Sequence, residues 1–253
     1  MNHPNVSVCL AAYNGGTYLS EQIESILVQL LPGDELVIVN DKSSDLTSEI
    51  IATFARKHTN IRIFENAENM GVKKTFENAL LHAVNDVVVF SDQDDIWISK
   101  KLPKIRIAFL DPQISGFLGN AIVFGASVND EKTFFTMDYA PQFTIFDQFL
   151  RNDFIGCCLA FRKSKIVHAL PFPESISMHD WWIGVNCIMA GHVMYDPEPL
   201  IKYRRHDANV SPSSRRGWRR VVSSRFFDAG ALLLLLYRIY FGGSRSSVPR
   251  LEN

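Results

Sequence analysis

The chain has 253 residues, 47% of them hydrophobic and 21% charged, with a formal net charge of −1. This excludes collagen-like and disordered classes and leaves one large domain, alone or with an appendage. The charge is unevenly spread: residues 202–253 hold eleven Lys/Arg against three Asp/Glu, a balance of +8 that leaves −9 for the remainder. An acidic body with a basic tail directs the tail to an anionic surface and argues against a nucleic-acid reader. Cys9, Cys157, Cys158 and Cys187 form no C-x-x-C pair and no zinc spacing, which suits core thiols in a reducing compartment. No signal-peptide pattern precedes the first strand-like run, so a cytoplasmic location is expected.

The first hundred residues alternate strand and helix patterns. Val6–Ala11 reads as a short apolar strand, and residues 17–30 carry Leu19, Ile23, Ile26, Leu27 and Leu30 on one helical face. Pro32-Gly33 breaks that helix. Residues 36–39 form the second predicted strand, followed by a helix capped at Ser44 or Asp45 and running to about His58. Residues 61–64 and 87–90 are the third and fourth strands, around a helix over 72–84. The alternation predicts an α/β fold with a doubly wound, mostly parallel sheet flanked by helices. Further on, 114–124 and 154–161 read as strands, 180–189 as a helix, and 193–195 and 200–203 as two short strands.

In such sheets ligands bind beyond the carboxyl ends of the strands. The segments that follow the four strands are polar: Tyr13-Asn14-Gly15-Gly16, Asn40-Asp41, Asn66 to Gly71, and Ser91-Asp92-Gln93-Asp94-Asp95. The last places three carboxylates within five residues after an apolar strand. Such charges repel unless a cation or hydrogen-bond donors compensate, and a hard divalent metal that also takes phosphate oxygens is the simplest compensation. The alternative is a solvated turn with Asp95 capping the next helix.

The ordered set Tyr13-Asn14, Asn40-Asp41, Asn69-Met70-Gly71, Asp92-Gln93-Asp94, His179-Asp180-Trp181-Trp182 and Tyr203 to His206 resembles the family-2 inverting glycosyltransferases of the GT-A fold. The closest look is to bacterial polysaccharide rhamnosyltransferases. The resemblance implies a donor site for a UDP- or dTDP-linked sugar built from Ala12, Tyr13, Asn14, Asp41, Asn69, Gly71, Lys74, Asp92, Gln93 and Arg205. For Lys74 an exposed helix face is the competing explanation, and Arg204 competes with Arg205. It implies a metal, Mn²⁺ or Mg²⁺, on Asp94 and His206, the imidazole suiting Mn²⁺ better. It also implies Asp180 as the general base, at a helix start where the dipole favours negative charge; a plain N-cap is the bland alternative. Trp181 and Trp182 are assigned to the acceptor sugar, with one of the two expected in the core. The family usually has an acid where this chain has His179.

The resemblance covers about residues 5–211, so the predicted division is a transferase domain over 1–210 and a tail over 211–253. The tail holds Arg215, Arg216, Arg219, Arg220 and Arg225 ahead of an apolar run over 226–241. That run is short for a span and is broken by Asp228 and Arg238, which predicts an interfacial helix on the inner face of the bacterial membrane, near a lipid-linked acceptor. A helix packed on the domain or in a dimer contact is the alternative. Two other functions compete: a nucleotidyltransferase, for which Asn14-Gly15-Gly16-Thr17 is a poor phosphate loop, and a non-catalytic nucleotide-sugar-binding scaffold.

Overall fold

A computed structural model describes residues 3–125, 131–136, 138–206 and 218–241, with side chains of the last helix from residue 225 onward. The elements run β1 (Val6–Ala12), α1 (Leu19–Leu27), β2 (Glu35–Asn40), α2 (Thr47–Lys57), β3 (Ile61–Glu65), α3 (Gly71–His82), β4 (Val87–Ser91), β5 (Ile96–Trp97), α4 (Lys101–Ala108), β6 (Ile114–Phe124), β7 (Lys132–Thr133), α5 (Ile145–Leu150), β8 (Leu159–Arg162), α6 (His179–Ala190), β9 (His192–Arg204) and α7 (Trp218–Tyr240).

One sheet carries the strands in the order β3-β2-β1-β4-β8-β6-β9-β5, with β7 paired to β6. β1 to β4 are mutually parallel, β8 is antiparallel to β4 and β6, and β9 is parallel to β6. Most strands therefore share one direction, as the alternation predicts. The central strands are mostly apolar because helices cover both faces; β2 and β4 are buried along their whole length. Register aligns their ends: Ala12 pairs with Asn40, Asn40 with Glu65, and Leu10 with Ser91. The residues that follow, Tyr13, Asp41, Asn66 and Asp92, thus begin on one rim.

Three expectations change beyond β4. The two short strands over 193–203 are one long strand, β9. Gly119 faces Asp196 and the next β6 residue, Asn120, faces Pro199, so Pro197 and Glu198 bulge out of the ladder. A bulge tolerates proline, which cannot donate to a ladder, and this hides the continuity of β9 in the sequence. The strand expected over 154–161 begins only at Leu159, after a 3-10 turn over Gly156–Cys158. Asp95 caps no helix: the next helix starts at Lys101, and Asp95 is buried instead.

Helix α7 lies against the body. Asp228, Ala231 and Leu235 are buried, and Arg238 donates to the His168 and Pro171 carbonyls at 2.9 Å each. Its outward face is apolar, with Phe226 80% exposed and Leu233, Tyr237, Tyr240 and Phe241 also open. No helix among the described residues is long and apolar enough to cross a membrane. The side chains of Arg215, Arg216, Arg219 and Arg220 lie outside the described residues.

Candidate functional site

The carboxyl rim opens on a cavity of about 380 Å³. Its lining takes Ala12, Tyr13, Asp41, Asn69, Gly71, Thr75, Phe76, Asp92, Gln93 and Asp94 from the ends of β1 to β4 and the loop and helix after β3. Ile155, Gly156, Met178, His179, Asp180 and Tyr203 come from later in the chain. Nine of the residues assigned from the sequence line this space: Ala12, Tyr13, Asp41, Asn69, Gly71, Asp92, Gln93, Asp94 and Asp180.

Each rim residue is held from a neighbouring strand end. The Ala12 carbonyl accepts the Asp41 N–H at 2.7 Å. Asp41 is buried; its Oδ1 accepts the Asn66 amide at 2.7 Å and the Met70 N–H at 2.8 Å, and its Oδ2 accepts the Gly71 N–H at 2.9 Å. It thereby fixes the loop that carries Asn69. Gly71 has φ +79°, a left-handed conformation that glycine adopts without the strain a side chain would add. Gln93 clasps Tyr13 by accepting its N–H at 2.8 Å and donating to its carbonyl at 2.9 Å. A Cβ on Gly15 would come within 2.3 Å of the Gln93 amide oxygen, so this clasp requires glycine at 15.

The acid loop is gripped by the end of β9, more than a hundred residues later in the chain. The Arg204 N–H donates to Asp95 Oδ1 at 2.9 Å, and its guanidinium donates to the Asp94 carbonyl at 2.8 Å. That grip brings His206 to Asp94, with Nε2 and Oδ2 2.9 Å apart. Burial, and then the charges of Asp95, Asp94 and Asp180, push the Asp92 carboxyl well above its usual range. Burial and the Asp94 charge push Asp95 up to about 7. A carboxylate cluster of this kind favours a cation or a proton.

Two sets of groups could accept a divalent ion. Asp92, Asp95 and Cys157 offer ligand atoms within 4.8 Å of one another, but Asp95 and Cys157 are fully buried and burial raises the Cys157 thiol far above its ordinary value. A hard divalent ion prefers oxygen ligands to a protonated thiol. Asp94 lies on the cavity wall and His206 beside it. Asp94 Oδ2 and His206 Nε2 already meet in a 2.9 Å hydrogen bond, which brings an oxygen and a nitrogen donor together at the cavity. The Asp94–His206 pair is the better fit.

Asp180 lies in the first turn of α6 and lines the same cavity as Asp41. Its Oδ1 accepts the Trp181 N–H at 2.6 Å and the Asn152 amide at 3.3 Å. Asn152 is a partner that no sequence signal marks.

Several assigned residues stand elsewhere. Trp181 and Trp182 are both 0% exposed, and their indole N–H groups donate to the Gln148 and Ala169 carbonyls. Neither presents a ring face to an acceptor; both are core, which corrects their assignment as a sugar platform. Large apolar rings with an internal N–H partner are stable there. Lys74 is off the cavity lining and pairs with Glu77 at 2.8 Å, the helix-face alternative. Asn14 is off it too: its side chain accepts the Ser44 N–H at 2.9 Å, and its own N–H donates to Ser43. Arg205 lies outside the lining, 5.0 Å over the ring of Tyr203, which does line the cavity. Asp45 accepts from Thr47 and from the Gly16 N–H at 2.9 Å, so it shapes the turn before α2.

His179 departs from the family pattern and has its own chemistry. It is buried against Phe76, ring centroids 4.2 Å apart, and neither ring nitrogen has a hydrogen-bond partner. Burial pushes its pKa down to about 3. Between there and the ordinary value of 6.5 the unfolded chain binds a proton that the folded chain does not, so stability falls as pH falls through this window. His179→Phe is expected to abolish that dependence. The stability difference between the variant and the wild type should shift in the variant's favour by about 2 kcal/mol from pH 6.5 to 5.0. Urea unfolding of the two proteins at both pH values checks this; an unchanged difference would contradict a buried neutral imidazole.

A mostly parallel sheet whose carboxyl rim carries acids and shares one cavity with a helix start is the architecture of the GT-A glycosyltransferases. The chain belongs to glycosyl transferase family 2, whose model matches residues 7–168. It is 26% identical over 217 residues to the UDP-Glc:alpha-D-GlcNAc-diphosphoundecaprenol beta-1,3-glucosyltransferase WfgD of Escherichia coli, covering 85% of this chain and 83% of that one. It is 26% identical over 213 residues to the dTDP-rhamnosyl transferase RfbG of Shigella flexneri, covering 79% and 72%. The fold matches TarS of S. aureus at a TM-score of 0.64 and 22% identity, over 79% of this chain and 60% of that one. It also matches the mannosyltransferase PcManGT of Pyrobaculum calidifontis, solved with GDP-Man and Mn²⁺, at 0.62 and 19%, over 94% and 65%. This chain thus spans less than two thirds of either solved chain.

Proposed function

We propose that the protein is an inverting, divalent-metal-dependent glycosyltransferase. It moves a sugar from a UDP- or dTDP-linked donor to a hydroxyl of a growing, lipid-linked surface polysaccharide. The observation that carries this reading is that Asp41, Asp92, Asp94 and Asp180 line one cavity. In this reading the Tyr13 ring and Asp41 meet the base, and the Asn69–Gly71 loop covers the nucleotide. Asp92 meets the ribose or the water shell of the metal, and Arg205 serves the diphosphate. Asp94 and His206 hold Mn²⁺ or Mg²⁺, which when bound neutralises the departing diphosphate. Asp180 takes the proton of the acceptor hydroxyl as that oxygen attacks from the opposite side. Rhamnose is the favoured sugar on the motif resemblance, and the relatives named for UDP-Glc and dTDP-rhamnosyl transfer support both nucleotides.

We take residues 1–210 as the transferase domain and 211–253 as its membrane-facing tail. The outward apolar face of α7 and the Arg-rich segment before it suit the anionic inner leaflet of a bacterial membrane. One experiment tests the whole reading. UDP-glucose, UDP-N-acetylglucosamine and dTDP-rhamnose are offered with Mn²⁺ or Mg²⁺ and a lipid-diphosphate N-acetylglucosamine, with and without phosphatidylglycerol vesicles. Nucleoside diphosphate release is expected for one donor, only with metal, and faster on vesicles. Donor binding with no turnover would favour a scaffold, and equal rates with neutral and anionic vesicles would remove the membrane role.

A further inference from the structure

Helix α7 touches the body at the two segments that hold Asp180. Asp228 is 0% exposed; its Oδ1 accepts the Ser177 N–H at 3.0 Å and its Oδ2 faces the Arg225 guanidinium at 3.4 Å. Arg225 reaches on to the Leu150 carbonyl at 3.4 Å. Ser177 lies on the strap that leads into α6, three residues before Asp180. Leu150 lies two residues before Asn152, whose amide donates to Asp180 Oδ1. One Arg–Asp pair thus braces both routes to that carboxylate.

A carboxylate taken out of water is costly unless donors meet its charge, and an apolar residue at 228 would seat the helix without that cost. Ala231, Leu235 and the Arg238 contacts already hold α7 in place. What Asp228 adds is the bond to the strap. We propose that the Arg225–Asp228 pair positions Asp180, so that α7 is a working part of the transferase and not only a tail. The proposal rests on the reading of Asp180 as the general base. The pair acts through Ser177 and Asn152.

The test uses the full chain with Mn²⁺ and whichever of UDP-glucose or dTDP-rhamnose is turned over. It measures kcat and KM, affinity for the matching nucleoside diphosphate by calorimetry, and amide exchange over residues 176–182. Asp228→Ala is expected to lower kcat by about tenfold to a hundredfold through misplacement of the base. Nucleotide affinity and donor KM stay unchanged, while exchange over 176–182 quickens. Asp228→Asn, whose carbonyl oxygen still accepts the Ser177 N–H, keeps most of kcat. Arg225→Met, which cuts the Leu150 brace and the contact to Asp228 Oδ2 but leaves the Ser177 bond, gives a smaller loss with the same unchanged affinity, and it carries the test should Asp228→Ala not fold. Wild-type kcat in Asp228→Ala, or in Arg225→Met, overturns the proposal, as does a fall in nucleotide affinity that matches the fall in kcat. Asp180→Asn run in parallel separates the two claims. If it is inactive while the α7 variants are normal, only the positioning role falls; if it turns over normally, the base assignment falls.

Discussion

Asp180→Asn is expected to stop transfer while the protein still binds its donor. The substitution keeps the size of the side chain and its capacity to accept from the Trp181 N–H and the Asn152 amide, so the start of α6 stays in place. What it loses is basicity. A positioned general base contributes about 10²- to 10⁴-fold, and a fall of that size in kcat is expected. Asp180 lines the cavity at the start of α6, and the proposed reading puts it on the acceptor side. Nucleotide affinity should therefore stay within about twofold, because the substitution removes an interaction used in the transition state and not in donor binding. Steady-state kinetics and calorimetry with the nucleoside diphosphate make the comparison. Near-normal turnover would show that another group takes the proton.

Asp94→Ala is expected to give the opposite signature. It removes the carboxylate nearest His206 and should abolish the metal dependence of donor binding together with transfer. A loss of at least about 10³-fold in kcat/KM is expected, since a bound ion supplies several kcal/mol of charge stabilisation to the leaving diphosphate. Metal affinity should also weaken as pH falls in the wild type. Burial and neighbouring charges hold the Asp92 and Asp95 carboxyls toward their protonated forms, so the loop beside the Asp94–His206 pair loses negative charge as pH falls. Titration of Mn²⁺ in the presence of nucleoside diphosphate, for both proteins and at two pH values, reads this directly. Tight Mn²⁺-dependent binding in Asp94→Ala would move the metal to other residues.

The parallel half was legible because its signals are local. Buried strands are continuous apolar runs, crossover helices repeat at their own period, and polar residues follow each strand where a parallel sheet opens its rim. That is why the pattern places Asp41, Asn69, Gly71, Asp92 and Asp94 after strand ends, and these residues line one cavity. The second half was read less well for identifiable reasons. β9 looked like two strands because Pro197 and Glu198 leave the ladder at a bulge. Trp181 and Trp182 looked like a sugar platform because residue type does not reveal which way a ring points at a helix start. Asn152 carried no signal, since one asparagine in an irregular segment has no period to betray it.

The amino-acid order by itself determined the α/β alternation, the converging strand ends, the acid cluster and the family. Each rests on short local patterns whose order along the chain carries the signal. The tertiary structure alone decided which acids meet. Arg204 and His206 reach Asp94 because β9 runs beside β6 and ends at the acid loop, and Asp228 reaches the strap before Asp180 because α7 folds back over the body. Contacts across such separations follow from how the sheet and helices pack, and no local pattern records them.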